Sequence, residues 1–122
     1  LLYKFISLNN QVKAVGRNKE KLEELASRDQ HIIPFVCDIG KADELDRLIL
    51  FVEQKHSDTN ILINNAGIQY NYHYAEAQQM LVKIENEINV NLLAPLKLIA
   101  LMLPTLKINE NSAIVMFLQG WD

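Results

Sequence analysis

The stretch Asn60-Ile61-Leu62-Ile63-Asn64-Asn65-Ala66-Gly67 decides how this chain is read. Three aliphatic residues in a row make a short buried strand. The strand runs straight into two amides, a small residue and a glycine. Glycine carries no Cβ, so a flat polar ligand can lie close to the backbone there. The amides offer donors and acceptors in fixed places. In open α/β sheets, ligands bind at the carboxyl ends of parallel strands, which is where this polar run falls.

Outward from that strand, helical and strand patterns alternate. Leu2, Phe5, Ile6 and Leu8 suit the end of an amphipathic helix, and Asn9-Asn10 reads as a turn. Val12-Lys13-Ala14-Val15 is a short strand closed by Gly16. Asn18 is a good N-cap for a helix whose Leu22, Leu25 and Ala26 share one face. Its charged positions, Lys19 to Glu24, read as a solvated face with i, i+4 pairs. Ile32 to Cys37 is a second strand, and Pro34 within it cannot donate to a ladder, which places it at an edge. Leu45, Leu48, Ile49 and Val52 form the buried stripe of another helix. A long helical segment covers about Ala77 to Leu106, and Ala113 to Leu118 is the last strand. Strands alternating with helices predict βαβ units and a parallel sheet. The strands are continuous apolar runs, as expected where helices cover both faces. No repeat, low-complexity tract or linker interrupts the pattern, so residues 1–122 are assigned to one domain.

Composition narrows the function classes. Of the 122 residues, 49% are hydrophobic and 22% charged, ordinary for a globular protein. The net charge of −3 gives no basic footprint for nucleic acid or an anionic membrane. No unbroken apolar run reaches the ~18 residues of a bilayer span. The single cysteine, Cys37, excludes a disulfide framework and makes a reducing cytoplasm the expected compartment. At the end of an apolar strand it reads as a buried, inert thiol. His31 and His56 read as exposed capping residues at element ends, and the three histidines and the cysteine show no metal-ligand spacing. Tyr70, Tyr72, His73 and Tyr74 read as a surface loop packing on itself, with the lining of a substrate cleft as the alternative. The opening Leu1-Leu2-Tyr3-Lys4 has no methionine and no signal-peptide pattern, so it reads as the interior of a longer frame.

Four stretches in order resemble the short-chain dehydrogenase/reductase family. Val12 to Arg17 is similar to its second strand and following turn, and Asp38-Ile39 to the acidic-aliphatic pair after its third. Asn64-Asn65-Ala66-Gly67 matches its NNAG motif, and Asn89-Val90-Asn91-Leu92 the asparagine-bearing part of its long helix. Leu103-Pro104 and Ala113-Ile114-Val115 resemble the lead into its fifth strand. Within the family, Asn64 to Gln69 and Val90 to Pro95 are most similar to the DltE-like bacterial oxidoreductases. A methyltransferase or a flavodoxin-like domain would share the doubly wound fold. The ordered set Arg17, Asp38, Asn65 and Asn91 separates this chain from both.

The resemblance implies an α/β fold, a partial Rossmann fold: a doubly wound parallel sheet lacking the first strand and the C-terminal part. The strands present would be the second to the fifth. Without the central first strand, the sheet is expected to fall into two pairs, about two strand spacings or roughly 9–10 Å apart. The implied chemistry is hydride transfer between a nicotinamide and a carbonyl or alcohol on a small-molecule substrate.

Arg17 would hold the adenosine 2′-phosphate, which favours NADP(H) over NAD(H). Asp38 would accept from the adenine amino group, with Ile39 packed on the ring. Asn65, Ala66 and Gly67 would line the ribose and nicotinamide side. Asn91 would hold a water in the catalytic proton relay. Pro95 has no N–H to give the Asn91 carbonyl four residues back, which suits that role. Against these stand plainer readings: a solvated arginine, a carboxylate at a helix N-terminus, a strand-end turn and a helix-kink asparagine.

The family's TGxxxGxG turn and YxxxK pair do not occur in these residues. Gln119, in Phe117-Leu118-Gln119-Gly120, stands where the family's serine is expected. The expectation is therefore a truncated and inactive member of an NAD(P)-dependent oxidoreductase family. The alternative is a non-catalytic remnant that binds nucleotide or pairs with an intact homologue, and a homo-oligomer is left open.

Overall fold

The computed structural model describes residues 2–65 and 77–116. It contains α1 (Leu2–Ser7), β1 (Val12–Gly16), α2 (Lys19–Ser27), β2 (Ile32–Val36), α3 (Ala42–Lys55), β3 (Ile61–Asn64), α4 (Ala77–Ile88), α5 (Ala94–Lys107) and β4 (Ala113–Met116). A π-helical turn, Asn89–Leu93, joins α4 to α5. The expected aromatic loop of Tyr70, Tyr72, His73 and Tyr74 lies outside the described residues, as do Ile68, Gln69, Phe117, Leu118, Gln119 and Trp121.

The fold is α/β, and the strands form two separate parallel pairs, β1 with β2 and β3 with β4. That is the division expected for a sheet without its central strand. β1 and β2 run in register from Val12 opposite Ile32 to Gly16 opposite Val36. β3 and β4 run from Ile61 opposite Ala113 to Asn64 opposite Met116. Parallel neighbours need a crossover, and here helices supply it: α2 between β1 and β2, and α4–α5 between β3 and β4. Pro34 is tolerated because β2 is bonded on one side only among the described residues.

The chain divides into two compact units, Leu1–Asp38 and Ile39–Asp122. In the first, α2 packs on both strands. Its start is fixed by Asn18, whose side chain accepts from the Lys21 N–H at 3.1 Å. Leu22 is buried and the flank is solvated, with the expected i, i+4 ion pairs Lys19–Glu23 (3.8 Å) and Glu24–Arg28 (2.7 Å). Arg28 also donates to the Tyr3 hydroxyl at 2.7 Å, which ties α1 to the end of α2. Asn9 turns the chain with a φ of 64°, a left-handed conformation asparagine tolerates. Cys37 is buried, as expected, and its N–H extends the ladder to the Gly16 carbonyl.

In the second unit, the stripe Leu45, Leu48, Ile49 and Val52 of α3 is buried. α3 packs beside α5, and α5 also packs on β3. Val90, Ala94, Leu98, Met102 and Leu106 are buried at i, i+4 spacing along the helical rod. Burying each large aliphatic side chain is worth about 1.5–3 kcal/mol, so this face holds the unit together.

One expectation needs correction. His31 and His56 are half-buried, not exposed. His31 Nδ1 lies 2.8 Å from Asp29 Oδ1, and the His56 ring packs edge-on against Phe51 with centroids 4.9 Å apart. Through the π-turn, Ala77–Lys107 forms one 31-residue helix, with a window of mean hydropathy 1.5 and few charges. By length and composition alone it is sufficient to cross a bilayer.

Candidate functional site

Each expected site residue lies at or just beyond the carboxyl end of its element. Arg17 follows β1 directly and is exposed. Among the described residues it has no ion-pair partner, and it precedes the N-cap Asn18. A guanidinium held so at a strand end is available to an anion.

Asp38 and Ile39 follow β2 and are half-buried. α3 begins at Ala42 with Lys41 as its N-cap, and its first turn has its own acids, Asp43 and Glu44. Asp38 lies three residues before that cap.

Asn65 follows β3 and is exposed, while Ala66 and Gly67 lie outside the described residues. Asn64, the first amide of the motif but not among the expected cofactor-binding residues, is 7% exposed, and its Nδ2 has no partner among the described residues. A buried amide in that state costs about 1–3 kcal/mol until an acceptor is supplied. The period-two pattern of a four-residue strand gave no sign that this side chain faces inward.

Asn91 lies in the π-turn with its side chain exposed. The disturbance expected at Pro95 takes the form of a widened turn. The Ala94 N–H bonds the carbonyl of Asn89, five residues back. Pro95 has no N–H, and its ring crowds the carbonyl four residues earlier. Widening the helix by one residue over 89–93 relieves that crowding and keeps the rod continuous.

Sequence reasoning also gave Asn89 no separate role. Its Nδ2 donates to the Gly40 carbonyl at 2.8 Å. No local pattern signals a bond across 49 residues. A depression of about 450 Å³ on α4, lined by Val82, Lys83, Glu85, Asn86 and Asn89, takes in none of the expected site residues.

The residues that follow β1, β2 and β3 are, in turn, a cation, a half-buried acid beside an aliphatic residue, and an amide. A profile of the short chain dehydrogenase family matches residues 2–118. The uncharacterized oxidoreductase DltE of Bacillus subtilis (strain 168) is 29% identical over 120 residues, covering 98% of this chain and 48% of that protein. The crystal structure of serine dehydrogenase from Escherichia coli superposes with a TM-score of 0.76 at 22% identity, over 93% of this chain and 52% of that one. The closed form of serine dehydrogenase complexed with NADP+ gives the same score and identity, over 93% and 46%. These structures share the fold, and the chain spans about half the length of the relatives it matches. With its α/β pairing, its π-turn at Asn91 and a family match running through both units, the chain belongs to the short-chain dehydrogenase family.

Proposed function

We propose that this chain carries the adenosine side of an NADP(H) site in an NAD(P)-dependent oxidoreductase. When bound, the cofactor supplies hydride exchange with a carbonyl or alcohol carbon. The chain's own residues bind and orient. Arg17 takes the 2′-phosphate, Asp38 and Ile39 take the adenine, and Asn65, Ala66 and Gly67 take the ribose and nicotinamide side. Asn91 holds a water of the proton relay. Cytoplasmic localisation, and the assignment of residues 1–122 to one Rossmann domain, belong to the same reading. The observation that carries it is Arg17, an exposed cation at the end of β1 with no ion pair among the described residues.

For these residues taken by themselves the proposed role is binding without turnover. A tyrosine hydroxyl beside a lysine ammonium is the family's proton donor. A non-catalytic subunit that pairs with an intact homologue is the second reading.

Titration of the purified chain with NADPH and NADH, followed by nicotinamide fluorescence, tests the proposal. NADPH is expected to bind more tightly than NADH. Arg17→Ala should weaken NADPH by about tenfold or more, the worth of a charge-assisted bond, and leave NADH little changed. Equal losses for both nucleotides would remove Arg17 from the site. Sustained NADPH oxidation that follows the protein through repurification, with any carbonyl compound, would overturn the non-catalytic role.

A further inference from the structure

Asn89 is joined to two segments at once. Its side-chain Nδ2 donates to the Gly40 carbonyl at 2.8 Å, a half-buried bond. Its own carbonyl accepts the Ala94 N–H that closes the π-turn. Gly40 lies in the five-residue connection between β2 and α3 and directly follows Ile39. The helix after that connection begins at Ala42, and its N-cap Lys41 makes no side-chain cap bond. The Asn89 amide supplies an anchor within that connection. Asn91 lies two residues beyond Asn89 in the same turn.

We infer that Asn89 is a positioning residue that couples the β2–α3 loop to the π-turn, so that a nucleotide seated on Ile39 also steadies the turn carrying Asn91. The inference rests on the nucleotide-binding reading above. The physical link is short: Ile39 to Gly40 through one peptide bond, Gly40 to Asn89 through one hydrogen bond, and Asn89 to Ala94 through the bond that defines the π-turn. If the loop settles, the Gly40 carbonyl holds the Asn89 amide in one rotamer. The backbone of residue 89 then has less freedom, and with it the Ala94 N–H bonded to its carbonyl, so the π-turn of residues 89–93 is held at both ends of one residue.

Hydrogen–deuterium exchange on the full chain, with and without adenosine 2′,5′-bisphosphate, tests this. The probe contains only the adenosine end of the cofactor. In the unsubstituted chain it should slow exchange in two places, residues 39–41 and residues 90–94. Asn89→Asp keeps the shape, but its carboxylate has no hydrogen to donate to a carbonyl. In that variant, protection of 39–41 should remain, with affinity reduced about five- to tenfold, while protection of 90–94 should disappear. Asn89→Ala removes the donor without adding charge and should behave the same way. Asn89→Gln retains a donor and should restore part of the effect at 90–94. A tether that merely stabilises the fold would lower the melting midpoint and leave the ligand-induced protection of 90–94 in place. Protection at 39–41 without protection at 90–94 in the unsubstituted chain would overturn the coupling while leaving the nucleotide site standing. Protection nowhere would overturn the nucleotide-binding reading, and the coupling with it.

Discussion

Asp29 shows how much a single side chain contributes to the small first unit. Its Oδ1 accepts the His31 backbone N–H at 2.8 Å and lies 2.8 Å from His31 Nδ1. The backbone bond first, and the His31 ring second, hold the Asp29 carboxyl below the usual carboxylate range. A carboxyl whose folded pKa is depressed stabilises the fold above its ordinary pKa, and the stabilisation is lost as pH falls through the folded value. Asp29→Asn keeps the shape and the acceptor but removes the charge. It should lower the thermal midpoint at pH 7, with the difference closing in acid as the native carboxyl is protonated. The effect should be small, because the pair is solvent-screened. Far-ultraviolet circular dichroism melts between pH 7 and pH 2 measure it, and a difference that persists at the acid end would show that the charge is not the cause.

Among the elements, the C-terminal end of α5 is the most heavily bonded. Asn109 Nδ2 lies within hydrogen-bond distance of three carbonyls: Ser57 at 2.7 Å, Thr105 at 2.8 Å and Thr59 at 3.2 Å. Two hydrogens serve three acceptors, so one bond is shared. The Ser112 hydroxyl closes the same turn on the Leu106 and Asn109 carbonyls, and Asn111 completes it with a φ of 56°. Together these bonds hold the end of α5 against the lead into β3 and set the start of β4. Asn109→Ala leaves partly buried carbonyls without their donor and should cost about 1–3 kcal/mol. The check is the urea midpoint of the chain. A shift below a few tenths of a kcal/mol would mean that water replaces the amide without loss.

At the scale of the whole molecule, the strand pairs raise the question of stability. An isolated two-stranded sheet is marginal in water, and this chain has two of them. All four residues of β4 are exposed, including Ile114, Val115 and Met116. Leu81, Ile84, Ile88, Leu92 and Leu96 leave a further apolar stripe exposed along α4, the π-turn and α5. Exposed strand edges and apolar surface favour association between chains. The isolated chain should therefore show a broad, weakly cooperative thermal transition and self-association that grows with concentration. Near-ultraviolet absorption of the tyrosines during the melt, with light scattering before it, measures both. A sharp transition from a monodisperse monomer would contradict the expectation.

The sequence by itself determined the order and kind of the elements, because each is written in local chemistry. Asn18 caps its helix, Leu45, Leu48, Ile49 and Val52 repeat at helical spacing, and the short aliphatic runs stop at polar residues. It also determined the family, through the ordered run from Arg17 to Asn91. The proline at 95 announced a disturbance in the long helix but not its form. Whether the helix bends, breaks or widens depends on which carbonyl takes the Ala94 N–H, and in the structure it is that of Asn89. Only the tertiary structure decided that Asn89 reaches Gly40, that Asn64 turns inward and that His31 and His56 are half-buried. These contacts join residues far apart in the chain, or depend on which face of an element is covered. Local periodicity carries no information about a partner brought into place by the fold.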